Sequence, residues 1–222
     1  MSDVEPTYEI TPDILLKAYS IGIFPMAESV DDPDLFWVEP PKRGIIPLEA
    51  FHIPASLKKA MRKNPFEVRI DTAFERVVEA CAEPTEERDS TWINPKIKAL
   101  YLDLFKMGYC HSVECWRDGR LVGGLYGVHI GSAFFGESMF SRQTNASKIA
   151  LVHLMHRMKA GGFKLLDTQF SSQHLERFGA IEISRKRYRD LLQSAIEVGA
   201  NFFPYEGGGT SDSILQPFNQ TS

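Results

Sequence analysis

Three short strings hold the residues that could do chemistry. The first is Phe134-Phe135-Gly136-Glu137-Ser138-Met139-Phe140-Ser141-Arg142, where Glu137 interrupts an apolar strand pattern. A carboxylate so placed is either buried and paired, with Arg142 as a near cation, or lines a cleft. Glycines and aromatics gather nearby in Gly123-Gly124-Leu125-Tyr126-Gly127. Glycine inside a strand makes sense where another backbone or a ligand must come close. The second string is Leu165-Leu166-Asp167-Thr168-Gln169. Asp167 and Gln169 lie two apart, so a strand presents both on one face. A carboxylate beside an amide can accept a proton, orient an amine or hydrogen-bond a developing oxyanion. The alternative is a polar strand end that meets solvent. Replacing Asp167 by alanine is expected to slow chemistry and leave the chain folded. The third string is the turn Arg142-Gln143-Thr144-Asn145-Ala146-Ser147-Lys148, which has no glycine. Asn145 or Ser147 can cap the helix that follows, but such a backbone closes less freely around a pyrophosphate. That argues against coenzyme A.

The elements that must position these strings follow from periodicity and punctuation. Strands are predicted near 110–117, 120–128 and 133–140, joined by Asp118-Gly119 and Gly131-Ser132, which are hairpin-turn pairs. A helix over 146–160 then leads through Gly161-Gly162 into a strand over 164–169. Upstream, Thr11-Pro12 opens a short helix, 56–63 reads as helix and 66–70 as strand. Asp71 is expected to cap a helix through Cys81, Glu83–Ser90 forms a charged loop, and Asn94-Pro95 starts another helix. Ser184 caps a last long one. Residues 23–54 carry Pro25, Pro33, Pro40, Pro41, Pro47 and Pro54, which exclude long helices and central strands. The expected fold is α+β: an acyl-CoA N-acyltransferase-like mixed sheet flanked by helices, with a small N-terminal lobe. The lobe and its connector span 1–54, the catalytic domain 55–205, and a loose C-terminal tail 206–222.

With 222 residues, 43% hydrophobic and 24% charged, the chain can bury a substantial core. No apolar run is long enough for a membrane span, and the acidic start lacks the pattern of a secretory signal. Cys81, Cys110 and Cys115 form neither CxxC nor zinc spacing, and His153 with His156 lacks a third ligand, so no metal is expected. The net charge of −4 does not favour a nucleic-acid binder. Yet Lys58, Lys59, Arg62 and Lys63 cluster, as do Arg185, Lys186, Arg187 and Arg189. These are either ordinary solvated helix faces or the basic half of a surface that carries both signs.

The chain resembles the leucyl/phenylalanyl-tRNA–protein transferase family over roughly residues 11 to 192. The resemblance rests on Ile21-Gly22-Ile23-Phe24-Pro25, Phe36-Trp37, Lys42-Arg43-Gly44, Phe51-His52-Ile53, Thr91-Trp92-Ile93 and His111-Ser112-Val113-Glu114. It extends through the glycine string at 123–127, Phe135 to Arg142, Asn145-Ala146-Ser147-Lys148, Asp167-Thr168-Gln169 and Gly179-Ala180. It implies a cytoplasmic, cofactor-free enzyme. Such an enzyme moves leucine or phenylalanine, and methionine less well, from aminoacyl-tRNA to proteins that begin with arginine or lysine. The product is a destabilising N-terminus that marks the protein for degradation. Some distant relatives transfer leucine to acidic N-termini instead. By resemblance, Gln169 hydrogen-bonds the attacking amine, Asp167 supports it, and Glu137 holds polar groups of the substrates. Leu125, Phe134 and Met158 line the aminoacyl pocket, and Met26, Trp92 and Tyr101 lie at the tRNA 3′ end. Met26 stands where relatives often carry tryptophan, and Trp92 could equally anchor the core. The rival readings are a coenzyme A-dependent N-acetyltransferase and a non-catalytic tRNA-binding protein.

Overall fold

The computed structural model describes residues 10–32, 34–84, 91–205 and 211–218, with the side chains of 211 and 212 excluded. The acidic N-terminus, most of the Glu83–Ser90 loop and the Gly207-Gly208-Gly209 run lie outside the described residues. In chain order the helices are α1 (Pro12–Ser20), α2 (Ala55–Met61), α3 (Phe74–Ala82), α4 (Pro95–Lys106), α5 (Ala146–Gly161), α6 (Gln173–Glu176), α7 (Arg185–Ile196) and α8 (Ser211–Leu215). The strands are β1 (Phe24–Met26), β2 (Phe36–Val38), β3 (Lys42–Ile46), β4 (Glu67–Ile70), β5 (Cys110–Arg117), β6 (Arg120–Ile130), β7 (Ala133–Ser141), β8 (Leu165–Gln169) and β9 (Ile181–Ser184).

The expected α+β architecture is present. Among the described residues a seven-stranded mixed sheet runs in the order β4-β5-β6-β7-β8-β3-β9, and a separate ribbon pairs β1 with β2. β4 to β7 form an antiparallel meander, whereas β7 and β8 are parallel and joined through α5. The β5–β6 hairpin closes on Asp118 and Gly119, both at positive φ, as a two-residue turn of the right hand requires. Side-chain caps form where the sequence signals them. Thr11, Asn94 and Ser184 accept from the amides of Ile14, Ile97 and Arg187 at the starts of α1, α4 and α7.

Both faces of the sheet are buried. One core packs α2, α5 and α8 through Leu57, Met61, Leu151, Leu154, Ile214 and Leu215. The other packs α1, α3, α4 and α7 through Leu15, Val77, Leu100, Tyr101 and Leu192. α5 lies close on β6 because Gly123 leaves room: a Cβ there would sit 2.4 Å from that of Ala146. Gly127 likewise lies under the Phe135 carbonyl, 2.2 Å from where its Cβ would be, at the point where the β6–β7 register shifts. Packing, rather than approach of a ligand, explains these two glycines.

Four local expectations are corrected. Residues 42–46 are not part of an irregular connector. They form β3, hydrogen-bonded between β8 and β9, with Pro40, Pro41 and Pro47 flanking the strand instead of breaking it. Asp71 does not cap α3, which begins at Phe74. Its carboxylate turns to β5, taking the Ser112 amide at 2.6 Å and facing His111 Nδ1 at 2.7 Å. The distant Glu114 satisfies the helix start instead, accepting from the Ala73 amide at 2.7 Å and from the Thr72 hydroxyl. Asn145 holds the N-cap position of α5 in the left-handed region, φ 71°, without a capping side-chain bond, while the Ser147 amide donates to Ser141 Oγ at 3.4 Å. The described part of the tail is packed: Ile214, Leu215 and Phe218 are buried, with Phe218 edge-on to Phe51.

Candidate active site

β7 and β8 ladder together only as far as Phe135 and Asp167. Beyond that pair, β7 continues to Ser141 against β6, and β8 continues to Gln169 against β3. The two parallel strands therefore part, and their separated ends carry Glu137 and Gln169. The gap is bridged by one hydrogen bond, Gln169 Nε2 donating to Glu137 Oε1 at 3.0 Å. Gln169 has φ 56°, a left-handed turn that is uncommon for a residue with a Cβ.

Two cavities open on this gap. One, of about 200 Å³, lies on the α5 side and is lined by Leu125, Met139, Leu151, Leu154 and Leu166. The other, of about 230 Å³, lies on the α1 and α4 side and is lined by Phe24, Met26, Trp92 and Phe170. Glu137 and Gln169 line both. The expectations divide accordingly. Leu125 lines the apolar cavity, whereas Phe134 and Met158 are fully buried in the core behind it and line neither cavity. Phe134 stacks on Phe202, centroids 5.6 Å apart. Met26 and Trp92 line the second cavity. Tyr101 is fully buried and presents no ring face for a base. Its hydroxyl donates to Glu137 Oε2 at 2.7 Å, and Tyr19 lies 2.7 Å behind it.

Burial pushes the Glu137 carboxyl up to about 7, helped by the charge of Asp167, while the two tyrosine hydroxyls and Arg43 oppose the rise. Glu137 makes no bond to Arg142, which pairs instead with Glu83 at 2.6 Å. A carboxyl near neutrality, held between two cavities, can take or give a proton at cellular pH.

Asp167 is placed differently. It is fully buried and lines neither cavity. Arg43 grips it through Nε, at 2.9 Å and 3.1 Å to its two oxygens, and through Nη2 at 2.6 Å. The Tyr188 hydroxyl donates to it at 2.7 Å and the Gln169 amide at 2.8 Å. These five bonds occupy the carboxylate, so Asp167 fixes the backbone turn at Gln169. Arg43 itself lies between the rings of Phe24 and Tyr188, each 4.5 Å away, and donates to the Gly22 carbonyl at 3.0 Å. Removing Asp167 would strand this buried cation, so the expectation that Asp167→Ala leaves the fold intact is withdrawn. Arg43, Tyr188 and Tyr19 were not anticipated. Arg43 occurs in one of the strings that carried the resemblance, but an arginine between a lysine and a glycine reads locally as surface.

Glu137 and Gln169 are thus shared by two separate cavities. The family profile described as leucyl/phenylalanyl-tRNA protein transferase matches residues 45–193, and the profile of that family's N-terminal domain matches residues 8–41. A leucyl/phenylalanyl-tRNA–protein transferase of Nitrobacter winogradskyi is 59% identical over 202 residues, covering 91% of this chain and 90% of its own. The chain belongs to the leucyl/phenylalanyl-tRNA protein transferase family. Among solved structures, a functionally unknown conserved protein from Staphylococcus epidermidis aligns with TM-score 0.40 and 10% identity, over 80% of this chain and 66% of that one. L-PGS from Bacillus licheniformis aligns with TM-score 0.38 and 13% identity, over 76% and 56%.

Proposed function

We propose that the protein transfers leucine and phenylalanine, and methionine less efficiently, from aminoacyl-tRNA to proteins that begin with arginine or lysine. The observation that carries this reading is that two cavities on opposite faces of the sheet share Glu137 and Gln169. The apolar cavity takes the side chain of the aminoacyl group. Leu125, Met139, Leu151, Leu154 and Leu166 form its apolar wall, and a wall of this kind separates similar aliphatic side chains by only about 1–3 kcal/mol per methylene. Met26 and Trp92 in the second cavity face the terminal adenosine, where stacking contributes about 1–3 kcal/mol.

The acceptor's α-amine attacks the carbonyl carbon of the ester. A C–N bond forms and the carbonyl π pair moves to oxygen. As the oxyanion collapses, the C–O bond to the ribose breaks, leaving an amide and a free hydroxyl on the tRNA. Ionised Glu137 takes the proton the amine loses and returns it to the departing ribose oxygen. Gln169 orients the amine, and Asp167 with Arg43 holds Gln169 in place. The ester is already activated, so positioning and charge stabilisation suffice without a cofactor or metal.

A third cavity, of about 320 Å³, fits the tRNA backbone. Lys59, Lys63 and Arg117 line it together with Asn145 at the start of α5, and the three cations favour an anion. The cluster on α2, rather than that on α7, is thus assigned to RNA: on α7, Arg185 and Arg189 are engaged by Glu39 and Lys186 by Asp190. Among the described residues no helix is long and apolar enough to cross a membrane. A cytoplasmic role in creating N-termini that mark proteins for degradation is part of the same proposal.

The test is transfer from radiolabelled leucyl-tRNA to matched peptides beginning with arginine, lysine, aspartate or alanine. Label on the arginine and lysine peptides alone is expected. Label on the aspartate peptide would reassign the acceptor site. No label on any peptide, from folded protein that binds the tRNA, would sink the proposal.

A further inference from the structure

Among the described residues five glycines stand in strands: Gly44 in β3, Gly123, Gly124 and Gly127 in β6, and Gly136 in β7. At the first four, a Cβ would come as close to other protein atoms as 2.5 Å, 2.4 Å, 2.8 Å and 2.2 Å, so close packing demands glycine there. Gly136 is different. The nearest atoms to its Cβ would be the Asp167 carbonyl oxygen at 3.5 Å and Leu166 Cδ1 at 3.9 Å, which is ordinary contact. Its φ lies outside the left-handed region, so the backbone does not demand glycine either. Strand alternation puts Gly136 on the same face as Phe134, toward α5, and it lines the apolar cavity together with Leu166. A side chain at this position would project into the cavity.

We propose that the missing side chain of Gly136 leaves room for the aminoacyl side chain and sets how large a one the cavity admits, a proposal that rests on the transferase reading above. Glu137, the next residue, takes the proton from the attacking amine, so the ester carbonyl lies beside it. Adjacent Cα atoms are about 3.8 Å apart. The first carbons of the aminoacyl side chain therefore pass over Gly136 on their way to Leu151 and Leu154 of α5. A methyl on Gly136 takes room from any occupant, and the larger benzyl group of phenylalanine has less to spare than the isobutyl group of leucine. Gly136 moves no proton and takes no part in bond making; it determines specificity.

The experiment compares Gly136→Ala with the unaltered full-length chain on two donors, leucyl-tRNA and phenylalanyl-tRNA, with a peptide beginning with arginine as acceptor. The variant should melt no lower than the unaltered chain, since alanine restricts the unfolded chain more than glycine does. On both donors kcat/KM should fall, and the ratio of phenylalanine to leucine transfer should drop by about tenfold or more, the discrimination an apolar pocket gives for one methylene. Lower melting would mean that the methyl meets protein rather than cavity, and an unchanged ratio would mean that the aminoacyl group lies elsewhere; either overturns the proposal. A second arm needs no transfer. The amides of leucine and phenylalanine with 3′-amino-3′-deoxyadenosine are titrated by calorimetry, and the variant should weaken on the phenylalanine compound by about tenfold more than on the leucine compound. Equal losses, no loss, or no binding to the unaltered chain overturn it. If the unaltered chain transfers from neither donor, the transferase reading fails while the titration still decides whether an aminoacyl side chain lies on Gly136.

Discussion

Glu137 is the group whose protonation matters most at the residue scale. Its carboxyl is raised to about 7, chiefly by burial, so transfer should climb as pH passes through about 7 and level off above it. Glu137→Gln should lower kcat by about a hundredfold or more and abolish that limb of the profile. Stability should move the other way. The unfolded chain ionises Glu137 near its ordinary value, whereas the folded chain holds the proton until about 7, so folding weakens across that window and stays weaker above it. Glu137→Gln should therefore melt higher than the parent at pH 8 and equal to it at pH 4. Equal melting at both pH values would remove the buried-carboxyl assignment. Asp167→Ala belongs to a different class. Leaving Arg43 buried without its partner should cost about 3–5 kcal/mol in urea unfolding. Adding Arg43→Met should restore a large part, and additive losses instead would refute the pairing. Strand alternation in the sequence pointed to Glu137, Gln169 and Asp167. It could not show that Asp167 faces Arg43 and Tyr188, because those partners come from β3 and α7, far away along the chain.

At the scale of elements, the parting of β7 and β8 makes the site, and α5 is pressed against the sheet beside it. Gly123 permits that approach. Gly123→Ala would place a methyl 2.4 Å from the Ala146 Cβ and should cost about 1–3 kcal/mol by pushing α5 outward. Unchanged urea stability would show that the helix yields freely. The order of strands β5 to β8 and helix α5 was legible because hairpin turns, periodicity and glycine stops are local signals. β3 was not legible. Its five residues sit among prolines, and only pairing with β8 and β9 makes them a strand. The start of α3 was misread for a related reason. Asp71 is a good local cap, but a bond to the Ser112 amide on β5 outcompetes it.

For the whole molecule, the net charge of −4 conceals a basic cavity at the start of α5. Binding of tRNA should weaken steeply with added salt, and Lys59→Ala or Lys63→Ala should reduce the log–log slope by about 1 each. A slope unchanged in both variants would place the RNA elsewhere. The C-terminal segment closes the core on the α5 face. Ending the chain after Tyr205 removes the buried Ile214, Leu215 and Phe218. At about 1.5–3 kcal/mol for each buried side chain, the melting temperature should fall by about 10 °C or more. An unchanged melting curve would mean that the segment contributes nothing to stability.

The sequence by itself determined the fold class, the chain order from β5 to β8 and the family, and it singled out Glu137 and Gln169. These depend on patterns that repeat within a few residues or on strings particular to one family. Tertiary structure alone decided that Asp167 is clamped rather than exposed, and that Phe134, Met158 and Tyr101 stand behind the site. It also decided that residues 42–46 complete the central sheet and that two cavities meet at one carboxyl. Each of these depends on which distant element lies opposite a side chain, a relation that local sequence spacing does not contain.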